Sequence, residues 1–170
     1  MEIRLWPDPV LSRACRAVEE NEFGPKLSAF AGELVAAMAS GRGVGLAAPQ
    51  VGVASRLFAM TFPEDPARAP LVACNPVLAL SGGTVLGSEG CLSLPGVYLR
   101  IARAEAAVMR YFTPEGAEGE VELSGLDARV AQHETDHTLG VMFMDRLPSR
   151  QMRRAALREW EKVRAVRDRT

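Results

Sequence analysis

The chain has 170 residues, of which 48% are hydrophobic and 24% charged, and its formal net charge is −1. That length suits one domain able to bury a core without disulfides or a structural metal, and the composition excludes a disordered chain. No apolar run approaches the 18 or so residues of a membrane span, and Met1–Ser12 lacks the basic start and apolar block of an export signal. Cys15, Cys74 and Cys91 are therefore expected to be thiols in a reducing, cytoplasmic setting.

Residues 5–12 (LWPDPVLS), with two prolines, read as an extended segment turning into a short helix. From Lys26 to Met38, Leu27, Phe30, Ala31, Leu34, Val35 and Met38 recur at helical spacing, and Gly41, Gly43 and Gly45 end the run. Short β-type segments follow at Arg56–Phe62, Leu71–Cys74, Val77–Leu80, Val97–Ala102, Ala106–Phe112 and Glu120–Leu123, separated by turns expected at Pro63–Pro70, Gly82–Gly83 and Thr113–Gly119. Helical character returns near Gly125 and runs to about Leu139, where Gly140 closes it. A last helix, at about 149–168, puts Met152, Ala156, Trp160 and Val163 on one face. Strands between helices predict a single α+β domain over residues 1–170. Residues 146–170 carry a net charge of +6 against −7 for the rest, which marks the tail as a candidate partner-binding segment.

The two histidines of the chain both lie in His133-Glu134-Thr135-Asp136-His137. On a helix, positions i and i+4 share a face, so two neutral imidazoles can hold one metal ion while Glu134 acts on a water beside it. A catalytic site needs a third ligand and an open position. No histidine follows His137, and Glu159 and Glu161 on the Arg-rich helix read as solvated, so the better candidate is Cys91 in Glu89-Gly90-Cys91-Leu92-Ser93. The alternative for Cys91 is a small core residue. In Gly43-Val44-Gly45-Leu46-Ala47-Ala48-Pro49-Gln50, the glycines Gly43 and Gly45 allow the main chain to approach a ligand, with Gln50 a donor just beyond. The same segment also reads as a helix stop entering an apolar turn, and it lacks the residues of a phosphate loop.

GVGLAAPQ, EGCLS and QHETDH, in this order and spacing, resemble the peptide deformylases over nearly the whole chain. The resemblance implies antiparallel β-sheets around a central HExxH helix and removal of the formyl group from the N-terminal formylmethionine of nascent proteins, with release of formate. It implies that Cys91, His133 and His137 hold a divalent metal, with Fe(II) in the cell and Zn, Ni or Co as substitutes. Glu134 becomes general base and acid, and Gln50 with the Leu92 N–H binds the developing oxyanion. The walls of a methionine pocket would include Val44, Leu126 and Val130, the last two serving equally well as ordinary core. Glu89 would stand behind these groups, orienting Gln50 or pairing with Arg103, and Asp136 would orient a neighbour or face solvent.

Two departures stand out. Tyr98 occupies a position where many relatives carry an arginine able to contact the substrate backbone, and Thr138 replaces an apolar residue. They leave open a related metalloamidase acting on another N-formyl compound, or a non-catalytic metal-binding relative. The basic terminal helix suggests docking on the ribosome; its alternative is a solvated helix packed through Trp160 and Val163. Neither a membrane nor DNA is an expected partner.

Overall fold

The computed structural model describes residues 1–167. The end of the expected terminal helix, at position 168, and the charges of Asp168 and Arg169 lie outside the described residues. The named elements are helix α1 (Pro25–Ser40), strands β1 (Gly45–Ala47), β2 (Leu57–Met60), β3 (Leu71–Cys91), β4 (Leu94–Phe112) and β5 (Glu118–Ser124), then α2 (Gly125–Thr138) and α3 (Arg150–Arg167). Short 3-10 turns at Pro9–Ser12 and Ala48–Val51 complete the two proline-containing segments. The strands form one antiparallel sheet in the order β1-β2-β3-β4-β5.

The middle of the chain is more continuous than its turn residues suggest. Four of the expected short strands merge into two long ones, and Gly82–Gly83 is not a turn. These glycines sit between the pairs Ser81↔Ala106 and Thr84↔Ala104, so two residues of β3 face one of β4 in a bulge. A second bulge lies between Cys74↔Phe112 and Val77↔Arg110. The β3–β4 hairpin closes only at Cys91↔Leu94, across Leu92 and Ser93. The EGCLS motif is therefore the closed end of the longest hairpin. Opposite it, Pro95-Gly96-Val97 is the unpaired segment between the pairs made by Leu94 and Tyr98, with Val97 buried in the core.

Three apolar clusters surround α2. Phe58, Met60, Phe62, Met109 and Val130 form one between the sheet and the helix. Leu34, Met38, Leu46 and Leu57 join α1 to the sheet in a second. Leu94, Ile101, Phe143, Met144 and Trp160 hold α3 in the third. On α3, Ala156 and Trp160 are buried as expected, whereas Met152 is 47% exposed, because it lies in the first turn, beyond the edge of that cluster. Trp160 Nε1 donates to the Trp6 carbonyl (3.0 Å), and Trp6 N–H donates to the Ser93 carbonyl (2.9 Å), tying the terminal helix to the hairpin end through the first residues of the chain.

Helix α2 is polar yet almost wholly buried: Arg129, Gln132, His133, Glu134, Asp136, His137 and Thr138 all lie inside. Such burial is tolerated only where each polar group finds a partner. Some partners are structural. Gln132 exchanges hydrogen bonds with the backbone of Ala104, and Thr138 Oγ1 donates to the Thr135 carbonyl, which accounts for a hydroxyl at an apolar position. At the helix start, the Glu64 carboxylate accepts from Leu126 N–H (3.0 Å) while Asp127 accepts from Glu64 N–H (3.1 Å), so the loop before β3 caps the helix. No described helix is long and apolar enough to cross a membrane.

Candidate active site

One turn of α2 separates His133 from His137 and places both rings on the face toward the hairpin end. Their Nε2 atoms lie 3.2 Å apart, and Cys91 Sγ lies 3.3 Å from that of His137. One ligand atom from each of the three residues falls within 4.8 Å of the other two, and this group could hold a metal ion. The donor set fits a divalent cation: one soft sulfur and two imidazole nitrogens converge on one point, with no apolar side chain needed to fill it. Burial pushes the His137 pKa well down, which favours the neutral ring that a metal ligand needs.

Glu134 lies alongside. It is 4% exposed, and its Oε2 is buried without a hydrogen-bond partner among the described residues. Burial raises its pKa to about 7, against the opposing pull of His133. A carboxyl tuned to neutrality can both accept and return a proton. Gly45 makes room for it: a Cβ on that residue would stand 2.4 Å from Glu134 Oε1.

Gln50 is 1% exposed. The Ala47 N–H donates to its Oε1 (2.8 Å), which fixes the amide orientation and turns Nε2 toward Cys91 Sγ (3.4 Å) and Ser93 Oγ (3.1 Å). Its main chain is anchored as well, accepting from Arg4 N–H (2.7 Å). Leu92 sits at the hairpin end, its side chain against Gly41 and Gly43.

Glu89 does not reach Gln50 by any hydrogen bond among the described residues; the second alternative holds, and more fully than the sequence implied. Its carboxylate accepts from Arg103 Nε (2.9 Å) and Nη2 (3.0 Å), from Arg129 Nη1 (2.8 Å), and faces His133 Nδ1 at 2.9 Å. Burial opposes its ionisation, but the bonds from His133 and Arg103 outweigh that and hold its pKa at about 2. Fixing Nδ1 of His133 leaves Nε2 as the nitrogen turned toward Cys91 and His137. Asp136 is buried rather than solvated, and it accepts from Arg103 Nη1 and from Arg146. Arg129 also donates to the carbonyls of Ile101 and Val85 (both 2.8 Å), bracing α2 across the hairpin.

A cavity of about 480 Å³ opens over these groups. Its wall includes Gly43, Val44, Gly45, Gln50, Glu89, Cys91, Leu92, Leu126, Val130, His133 and Glu134, so nearly every residue singled out from sequence meets there. Arg103 and His137 stand behind the wall. Leu126 is 42% exposed at the rim, whereas Val130 is 5% exposed and serves both cavity and core. Arg42, Ser93, Arg129 and Arg146 escaped sequence reasoning. Only Ser93 had a local signal, being next in the EGCLS motif.

An HExxH helix opposed by a cysteine, beside a buried carboxyl and a cavity, is an arrangement suited to a metal-dependent hydrolase. The profile of one such group, described as polypeptide deformylase, matches residues 1–153. The chain belongs to that family, whose members are metalloenzymes. A peptide deformylase of Thermus thermophilus is 42% identical over 159 residues, covering 86% of this chain and 81% of that protein. Among solved structures, a peptide deformylase from Legionella pneumophila superposes with a TM-score of 0.90 at 34% identity, covering 99% of this chain and 98% of that one. Another, from Synechococcus elongatus in complex with actinonin, gives 0.84 at 35% identity, covering 93% and 86%.

Proposed function

We propose that the whole chain is one catalytic domain that removes the formyl group from N-terminal formylmethionine of nascent peptides, releasing formate. The observation that carries this reading is the convergence of Cys91, His133 and His137 beside the buried carboxyl of Glu134. Bound at Cys91, His133 and His137, a divalent ion supplies Lewis acidity and makes water a stronger acid. Fe(II) is the ion proposed for the cell; the mixed sulfur and imidazole donors accommodate Zn, Ni and Co as well.

The residues divide the remaining work. Glu134 takes a proton from the attacking water as the new C–O bond forms at the formyl carbon. It then gives that proton to the amine nitrogen as the C–N bond breaks, leaving formate and a free N-terminus. Gln50 Nε2, held by Ala47 and Ser93, donates with the Leu92 N–H to the oxygen that gains charge; one such donor is typically worth about 3–4 kcal/mol. Glu89, clamped by Arg103 and Arg129, orients His133. Val44, Leu126 and Val130 receive the methionine side chain, and Gly43 and Gly45 let the substrate backbone come close.

Formate release from formyl-Met-Ala-Ser by the metal-loaded protein under anaerobic conditions tests this reading. Turnover that disappears in Glu134→Ala while metal is retained supports it. Cleavage of an internal peptide bond, turnover confined to other N-formyl compounds, or metal binding without turnover replaces it with the alternatives above. The proposal places the enzyme in the cytoplasm, with α3 docked on the ribosome. The exposure of Arg150, Arg154 and Arg158 on that helix supports docking, and ribosome binding that does not weaken with salt would end it.

A further inference from the structure

Arg42, Val44, Tyr98 and Leu126 contribute exposed surface to the cavity wall. Val44 is 46% exposed, Tyr98 74% and Leu126 42%, all apolar or aromatic. The other charged residues of the wall, Glu89, Arg129 and Glu134, are buried, and the first two are paired with each other. Arg42 is thus the one exposed charge among the described wall residues. Its guanidinium makes no hydrogen bond or ion pair with a described residue.

The backbone of Arg42 adds an independent observation. Its φ is +55°, in the left-handed region that disfavours residues with a Cβ. The position ends α1: Arg42 N–H donates to the Ala39 carbonyl and Gly43 N–H to that of Met38, both at 3.0 Å. Glycine suits such a helix end best, and Gly41 and Gly43 flank it. A long cationic side chain is held here against the conformational preference, at the lip of the cavity. Non-glycine residues in this region cluster where the side chain has a task.

We propose that Arg42 selects formylated peptides carrying a carboxylate within the first three residues after the formylated one. The inference rests on the function proposed above. With the formyl group beside Cys91 and the first side chain in the cavity, the rest of the peptide leaves over the rim. An extended strand advances about 3.3 Å per residue, so those three residues cover about 10 Å of it. A guanidinium without a competing partner offers a carboxylate two parallel donors. The pair is exposed to solvent, so the preference is modest, about threefold, and screened by salt. The carboxylate can come from a side chain or from the free C-terminus of a short peptide.

The test measures kcat and KM of the metal-loaded full chain on formyl-Met-Ala-Glu-amide, formyl-Met-Ala-Gln-amide and formyl-Met-Ala-Lys-amide, and on formyl-Met-Ala-Gln with a free carboxylate. The expected result is a KM about threefold lower for the Glu amide than for the Gln amide, higher again for Lys, with kcat unchanged. A similarly low KM for the free acid shows that the terminal carboxylate serves as well. Both preferences vanish in Arg42→Gln and Arg42→Gly, and in about 0.5 M NaCl. Arg42→Gly also relaxes the backbone, so its Tm stays level or rises and the lost preference cannot be assigned to unfolding. Formate release with a charge-blind KM in the wild-type chain, or a preference that survives in both variants, overturns the inference alone. No formate from any peptide overturns the proposed function and this inference with it.

Discussion

Gly45→Ala tests the site geometry with a single carbon. Gly45 has an ordinary β conformation in β1, paired with Met60, so alanine fits the backbone. The obstacle is Glu134. The new methyl carbon would stand 2.4 Å from Oε1 and 2.7 Å from Cδ and Cγ, where ordinary contact begins near 3.4 Å. The carboxylate must therefore retreat by about 1 Å, and a displacement of that size at a reacting group costs on the order of 100-fold in rate. Glu134 lines the cavity, so its carboxylate can turn into that space only by leaving the position it holds beside β1. Overpacking of this kind destabilises by about 1–3 kcal/mol, which leaves a marginally affected but folded protein. The assay is kcat for formate release from formyl-Met-Ala-Ser, beside bound-metal content and a thermal melt. An alanine variant serves as reference. A Cβ at Gly83 meets nothing within 4 Å, so Gly83→Ala should retain kcat within a fewfold of wild type. A folded, metal-loaded Gly45→Ala enzyme with wild-type kcat would refute the reasoning, because Glu134 would then not need the position it occupies.

Other expectations follow from the same contacts. Glu134→Gln removes the proton acceptor but keeps the shape, so kcat should fall by about 10²–10⁴ with metal content unchanged, measured by formate release and elemental analysis. Arg103→Met takes one cationic partner from each of the buried carboxylates Glu89 and Asp136, which keep Arg129 and Arg146; urea denaturation should report a loss of about 3 kcal/mol. The Glu89 carboxyl is depressed to about 2 in the fold from 4.5 when exposed, so its stabilisation is complete above about pH 4.5 and lost as pH falls toward 2. At about 1.4 kcal/mol per unit this amounts to about 3–4 kcal/mol, and urea midpoints for Glu89→Gln should lack that acid-limb slope. Chelation should abolish formate release and lower the Tm, with recovery on adding back Zn or Co.

The chemistry was legible in the sequence because its groups are closely spaced or lie in short motifs. His133, Glu134 and His137 share a pentapeptide, and α2 does the rest. Cys91 and Gln50 were found through the segments around them, and both fall within reach of the same point. What stayed hidden depends on pairing between distant positions. Arg129 and Arg146 look like ordinary surface arginines until β3, β4 and the turn after α2 bring them against Glu89 and Asp136. Gly82–Gly83 has the composition of a turn, but the apolar and β-branched residues on either side continue to pair with β4, and the glycines are absorbed as a bulge. Arg42 carried no sequence signal, since neither its backbone conformation nor its place on the rim follows from the glycines around it.

The hairpin that ends at Cys91 makes the place of its sulfur a passenger of strand alignment. Side chains alternate faces along β3, so slippage of one residue against β4 would carry the thiol to the opposite side of the ribbon, away from both imidazoles. The irregularities at residues 75–76 and 82–83 act as fixed notches that permit one alignment of two very long strands. A deletion of Leu86, in the evenly paired stretch between that bulge and the hairpin end, is therefore a means of turning the thiol away without altering it.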